Sequence, residues 1–239
     1  HGHVTGIERT WLARDGGGLP AAERAVLRRL VRDCRRHGLR VSLGLPPFMP
    51  VALAARHPEW RERRSPDARL PPPREDDLGT RAGCNVGPWG DHLIETCAEL
   101  AREFDLDGFS FDGNYHPPLC HCAACARAYK KPLPKKVDLA DISYREYLVW
   151  RGERLVEHYL RLKKRLAAAR PGTAVMTWTV NAGRYGHFLH SPRAMPVSLN
   201  RVIDLPMQEW WLDETNLGPS IAPAFGAAYL RAVAGGPCA

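Results

Sequence analysis

The sequence predicts an α/β fold of parallel strands joined by helices, a (β/α)8 barrel present only in part. Three observations predict it. Strand-like and helix-like segments alternate along the 239 residues. No Asn-Gly type of turn marks a β-hairpin between neighbouring strands. Each strand also places bulky residues on one parity and small or polar residues on the other. Val41, Leu43, Leu45, Phe109, Phe111, Ile203 and Leu205 share one face, while Ser42, Gly44, Gly108, Ser110, Asp112 and Asp204 share the other. The inward face of a narrow barrel has less room near its axis, which favours a barrel over an open doubly wound sheet. That alternative also lacks its Gly-rich phosphate fingerprint here.

The elements follow in order. Pro20 opens a helix where a missing N–H costs nothing, and Gly38 closes it. Leu27, Leu30, Val31 and Cys34 form its apolar stripe. Arg40 to Pro46 alternates and reads as a strand. Residues 47 to 87 are a long connection rich in Pro, Arg and Asp, and loops of that length are usually functional or mobile. After Pro88, Trp89, Leu93, Cys97, Leu100 and Phe104 recur at helical spacing. Asp107 to Asp112 is the second strand. Ser143 and Glu146 fit a capping box that starts a long helix. Its face carries Tyr144, Leu148, Leu155, Tyr159, Leu162 and Leu166, and Pro171-Gly172 ends it. Thr173 to Asn181 is a third strand and Asn200 to Leu205 a fourth, with Pro206 arguing against its extension. Residues 221 to 234 form a last helix.

Length and composition bound the rest. At 44% hydrophobic and 25% charged residues, the chain is an ordinary globular one. It reads as one barrel-type domain over 1–239, expected to be part of a longer protein. No apolar run approaches the roughly 18 residues of a membrane-spanning helix. No initiator Met and no charged-then-apolar export signal stands at His1; a cytoplasmic location is expected, with an export signal in the longer protein as the alternative. The net charge is +8. Its most visible part is Arg24, Arg28, Arg29, Arg32, Arg35, Arg36 and Arg40, on or beside the first helix, which reads as a solvated outer face and not as a nucleic-acid site. No nucleic-acid or membrane partner is expected, and a homo-oligomer is compatible with the sequence.

Three constellations carry chemistry. Asp112 ends a parallel strand, and reaction chemistry in these barrels occurs at C-terminal strand ends. Its bland alternative is a carboxylate capping an Asp-Gly turn. Glu209 lies just beyond the fourth strand, before Trp210 and Trp211. A carboxylate pair on neighbouring strand ends is what glycoside cleavage needs, one group ionised and one protonated. The two tryptophans could stack on a sugar or exclude water from Glu209. A rim Glu paired with arginine is the alternative, and Asp213 or Glu214 could replace Glu209. Third, Cys120, Cys122 and Cys125, with Cys84 upstream, match the sulfur set of a structural zinc site. Four thiolates leave no open position, so no Lewis-acid role is expected. Reduced thiols or a disulfide are the alternatives, and His116 or His121 could replace one sulfur. Cys34 and Cys97 are expected to be buried thiols, and Cys238 is a bystander. His57 and Trp60, in His57-Pro-Glu-Trp60, together with Tyr115 and Asn181, are further candidates for substrate contact. His187 and His190 read as plain loop residues.

The runs Cys84-Asn-Val-Gly-Pro-Trp89, Asp107-Gly-Phe-Ser-Phe-Asp-Gly113 and Cys120-His-Cys-Ala-Ala-Cys125 resemble the glycoside hydrolases of the α-L-fucosidase-like TIM-barrel group. His57-Pro-Glu-Trp60 fits the same pattern. The cysteine set also resembles that of family 42 β-galactosidases, which carry a four-cysteine zinc site and a Cys-x-Cys-x-x-Cys loop after the fourth strand. The likeness covers roughly residues 37 to 236. It implies a retaining glycoside hydrolase with Asp112 as nucleophile, Glu209 as acid/base, an oligosaccharide or glycoside substrate and a structural zinc. The chain departs from family 42 at the strand-four end, where Phe111-Asp112-Gly113-Asn114 stands in place of an Asn-Glu pair. Aligned this way, the chain begins between strands two and three and ends before strand seven, with strands one, seven and eight missing or partial. The rival readings are a non-catalytic carbohydrate-binding barrel and a zinc-dependent nucleic-acid-binding module.

Overall fold

A computed structural model describes residues 2–4, 21–45, 48–67, 69–111, 119–180 and 197–209, with single positions at 228, 231–232 and 235. At 2–4, 78, 178–180, 197 and 207–209 it describes the backbone alone. The order is β1 (Gly2–Val4), α1 (Ala21–Arg36), β2 (Val41–Leu45), α2 (Val51–Arg56), two 3₁₀ turns (Pro58–Trp60 and Leu78–Arg81), α3 (Pro88–Phe104), β3 (Gly108–Phe111), α4 (Ala123–Tyr129), α5 (Ile142–Ala169), β4 (Ala174–Val180), α6 (Val197–Asn200) and β5 (Leu205–Glu209).

Every strand pairs in parallel with the one before it, in the order β1-β2-β3-β4-β5. A doubly wound sheet reverses direction at a switch point. This one never does among the described strands, which is how the wall of a barrel winds. The described part is a parallel sheet of five strands with two edges.

The register assigns the faces. Phe109 pairs with Leu43 and Val175, and Phe111 with Leu45 and Thr177. That face meets the helices and builds the main core with Leu27, Leu93, Leu100, Phe104, Leu155, Tyr159 and Leu162. The five apolar residues foreseen on α3 are all buried, as are five of the six on α5; Leu148 is half-buried. The other sheet face carries Ser42, Gly44, Gly108, Ser110 and Ala174. A Cβ at Gly108 would lie 2.9 Å from Ala174 O, so this side is tight. Helices α3 and α5 pack together, laced by Arg165 to Glu95 at 2.8 Å and by Arg161 to Asp91.

Several expectations are corrected. β1 lies beside β2 as an additional strand. Three residues are too few to show a period, so the sequence does not reveal it. The fourth expected strand starts later, at Leu205, and runs through Pro206 to Glu209. β5 is the edge of the described sheet, where a proline is tolerated if its absent N–H faces away from the ladder. Leu205 pairs with Met176, on the face of Ser110 and not that of Phe109. Residues 203 and 204 precede the strand, so the alternation expected there does not hold.

The long helix is capped by Asp141, whose carboxylate accepts from the N–H and hydroxyl of Ser143, both at 2.8 Å. Glu146 pairs instead with Lys131 at 2.8 Å. Leu30 of the α1 stripe is exposed. The connection at 47 to 87 contains α2, the two turns and antiparallel bridges between Phe48 and Ala82 and between Arg61 and Gly83. The α1 arginines lie on the outer face, where Arg24 and Arg28 bond Glu103 and Arg35 meets Asp107 at 3.3 Å. The last expected helix lies largely outside the described residues.

Candidate metal centre and strand ends

Four segments build a buried sulfur cluster. Cys84 sits between the second 3₁₀ turn and α3, its N–H donating to Trp60 O at 2.9 Å. Cys122 is the N-cap of α4, and its sulfur accepts from the Cys125 N–H at 3.5 Å. Tyr147, on α5, fixes Cys120: its hydroxyl accepts from the Cys120 N–H at 2.9 Å and lies 3.3 Å from the Cys120 carbonyl. Cys125 lies within α4. None of the four is more than 4% exposed.

Their sulfurs all lie within 4.8 Å of one another, with Cys84 and Cys125 at 3.5 Å. Tetrahedral coordination with bonds near 2.3 Å places sulfurs about 3.8 Å apart. The set therefore fits one metal ion, and its thiols are free, not paired as disulfides. His121 is not a member of the group, so among the described residues the four sulfurs stand without a histidine. His116 lies outside the described residues. Hydrogen bonds from Cys120, Cys122 and Cys125 hold the Cys84 thiol well below its ordinary range, against its burial. The bonds from Cys122 and Cys125 push Cys120 up.

Two charged residues against the cluster escaped the sequence reading. Arg151 Nη1 lies 3.1 Å from Cys125 Sγ and 3.4 Å from Cys84 Sγ, and Nη2 donates to Glu62 Oε1 at 3.0 Å. The two side chains are 3% and 8% exposed. Burial pushes the Glu62 carboxyl well above the carboxylate range, against the pull of Arg151. Arg151 has a legible signal: spacings of four residues from Tyr147 and to Leu155 set it within the apolar stripe of α5. Glu62 has none.

Among the substrate candidates, His57 and Trp60 come together, stacked at 4.0 Å between ring centroids and 15° between planes. His57 Nδ1 lies 3.2 Å from Glu59 Oε1. His92 lies tilted against Trp60 at 5.5 Å. Trp60 therefore has one ring face already covered by His57. Beside this segment, Arg61, Glu62, Arg64, Arg69, Asp77 and Thr80 line a cavity of about 250 Å³.

Glu209 is the last residue of β5, paired with Val180 at the C-terminal edge of the sheet. β3 ends at Phe111, paired with Thr177 of the same β4. Asp112, Tyr115, Asn181, Trp210, Trp211, Asp213, Glu214, His187 and His190 lie outside the described residues. Among those described, no helix is long and apolar enough to cross a membrane.

No protein-family model matches the chain, and no curated protein matches it. Solved structures do. The β-galactosidase of the psychrophilic Marinomonas ef1 superposes with a TM-score of 0.73 at 14% identity, over 99% of this chain and 42% of that one. The β-galactosidase of Bacillus circulans sp. alkalophilus gives 0.69 at 12% identity, over 97% and 38%. The α-L-fucosidase isoenzyme 2 of Paenibacillus thiaminolyticus gives 0.53 at 18% identity, over 76% and 25%. The chain thus spans between a quarter and about two-fifths of these proteins. At such identities the likeness shows the fold: this chain is similar in fold to part of each of these enzymes.

Proposed function

We propose that the chain belongs to a glycoside hydrolase built on a (β/α)8 barrel, with Asp112 as nucleophile and Glu209 as acid/base. The supporting observation is the sequentially wound parallel sheet in which β3 and β5, both neighbours of β4, end at Phe111 and Glu209. Barrel enzymes take their catalytic groups from such C-terminal strand ends. The likeness in fold to two β-galactosidases and an α-L-fucosidase supports the same reading.

In a retaining course the Asp112 carboxylate attacks the anomeric carbon as Glu209 gives its proton to the leaving oxygen. Glu209 then takes a proton from the water that releases the sugar. Trp210, Trp211, Tyr115, Asn181, Trp60 and His57 are the proposed sugar contacts. Cys84, Cys120, Cys122 and Cys125 would hold zinc, which four thiolates close off from solvent and substrate. Bound there, the ion ties the loop before α3 to the loop that enters α4.

The test is hydrolysis of aryl glycosides by the purified protein and by Asp112→Asn and Glu209→Gln. General acid–base catalysis contributes about 10²- to 10⁴-fold, so Glu209→Gln should lose that much in kcat. Asp112→Asn should lose at least as much. Unchanged activity in both variants would overturn the assignment, and sugar binding without turnover by the parent protein would make it a binding barrel instead.

A further inference from the structure

Four thiolates around a divalent ion leave two net negative charges, and here they sit where water does not screen them. Burying such charge is costly unless hydrogen bonds and opposite charge meet it. Arg151 is the cation placed to do so. One nitrogen, Nη1, lies 3.1 Å from Cys125 Sγ and 3.4 Å from Cys84 Sγ. Its other terminal nitrogen is anchored on Glu62 at 3.0 Å, so the guanidinium is fixed from behind. The two sulfurs it bridges come from different parts of the fold. Cys125 belongs to α4, with Cys120 and Cys122 close by in sequence. Cys84 is the lone ligand from the other side, bonded through its backbone to Trp60.

We infer that Arg151 is a positioning residue of the metal centre: by donating to Cys84 and Cys125 together it keeps Cys84 on the ion and withdraws charge from both sulfurs. Glu62 sets its orientation. The inference rests on the reading of the four cysteines as metal ligands. Outer-shell donors of this kind change metal affinity by about 10- to 100-fold when removed. Lysine is a poor substitute, because its one nitrogen cannot stand both where Nη1 faces the two sulfurs and where Nη2 faces Glu62.

The experiment uses the full chain loaded with Zn²⁺ and, separately, with Co²⁺. Arg151→Met should release Zn²⁺ to a competing chelator at least about tenfold faster than the parent protein. Its Co²⁺ form should show the sulfur-to-cobalt charge-transfer band moved to lower energy, because the sulfurs regain electron density. Arg151→Lys should fall between the two on both readouts, and it carries the test if Arg151→Met does not fold. A folded variant with the parent's release rate overturns the inference. So does faster release with an unmoved band, which would mark loosened packing alone. A parent protein that retains neither ion overturns the metal reading itself, and this inference with it.

Discussion

The backbone N–H of Cys84 donates to the carbonyl of Trp60 across 2.9 Å. A sulfur of the candidate metal centre and an aromatic ring stacked on His57 are thereby parts of one short antiparallel ladder. The bond from Glu62 N to Ala82 O at 2.8 Å and the bridge between Arg61 and Gly83 continue it. What happens at the sulfurs therefore reaches the His57–Trp60 stack through backbone and not through a flexible side chain.

Metal removal is the first consequence. Structural metal sites contribute folding free energy directly. Stripping the ion should therefore lower Tm, by about 2–4 °C for each kcal/mol lost in a domain of this size. Tryptophan emission should change in the same titration, since Trp60 loses its anchored neighbour. A thermal scan with and without chelator checks both. Cys122→Ser should reproduce the loss without chelator, and an unchanged Tm in either case speaks against the centre.

Glycine substitutions separate tight packing from backbone geometry. A Cβ at Gly83 would lie 2.3 Å from Cδ1 of Trp89, whose ring is buried in the core and has nowhere to go. Gly83→Ala should destabilise by about 1–3 kcal/mol or more through overpacking. Gly38 has φ +68° and open space around its missing Cβ. Gly38→Ala should cost only about 1 kcal/mol, from the left-handed backbone alone. Urea unfolding midpoints measure the difference, and equal losses would refute the packing argument.

Asp107 and Asp204 play one role twice. Asp107 Oδ2 accepts from the N–H of Val41, and Asp204 Oδ2 from the N–H of Val175, each at 2.9 Å. Both thus close the N-terminal end of a neighbouring strand. Lys163 approaches Asp204 at 2.6 Å from α5, and Arg35 approaches Asp107 at 3.3 Å from α1. Asp107→Ala and Asp204→Ala should each cost about 1–3 kcal/mol, because a part-buried N–H is left without its acceptor. Asparagine at either site keeps an acceptor and should recover most of the loss in denaturant titrations.

These pairs also mark what a sequence can and cannot carry. The α3 stripe from Trp89 to Phe104 is read correctly because five apolar residues repeat at helical spacing over four turns. The four cysteines do come together, because three of them lie within six residues and the turn before α3 brings Cys84 to them. β1 is too short for a pattern. β5 is misplaced because a rule about proline outweighed the extended segment Leu205–Glu209, which the edge of the described sheet accommodates. The Asp141 cap is missed because Ser143 and Glu146 imitate a capping box two residues too late. Arg151 stands in the apolar stripe of α5 for a reason visible only when three distant segments meet: its partners are 26, 67 and 89 residues away in sequence.

His158 supplies the last test, of pH dependence. It is buried on α5, its ring edge-on to Tyr159 at 5.4 Å. Burial lowers its pKa to about 4, helped by the charge of Arg161 and opposed by Asp91 and Cys84. An unfolded histidine titrates near 6.5. Between those values the unfolded chain binds the proton and the folded chain does not, so acid favours unfolding. The neutral imidazole's contribution is fully present above about pH 6.5 and is lost as the pH falls toward 4. At 1.36 kcal/mol per unit the loss is up to about 3 kcal/mol. His158→Gln cannot take up that proton. Its urea unfolding free energy should therefore fall less steeply than the parent's between pH 6.5 and 4, while acidic groups common to both proteins cancel in the difference. Parallel slopes across that window would show that His158 does not carry the acid sensitivity.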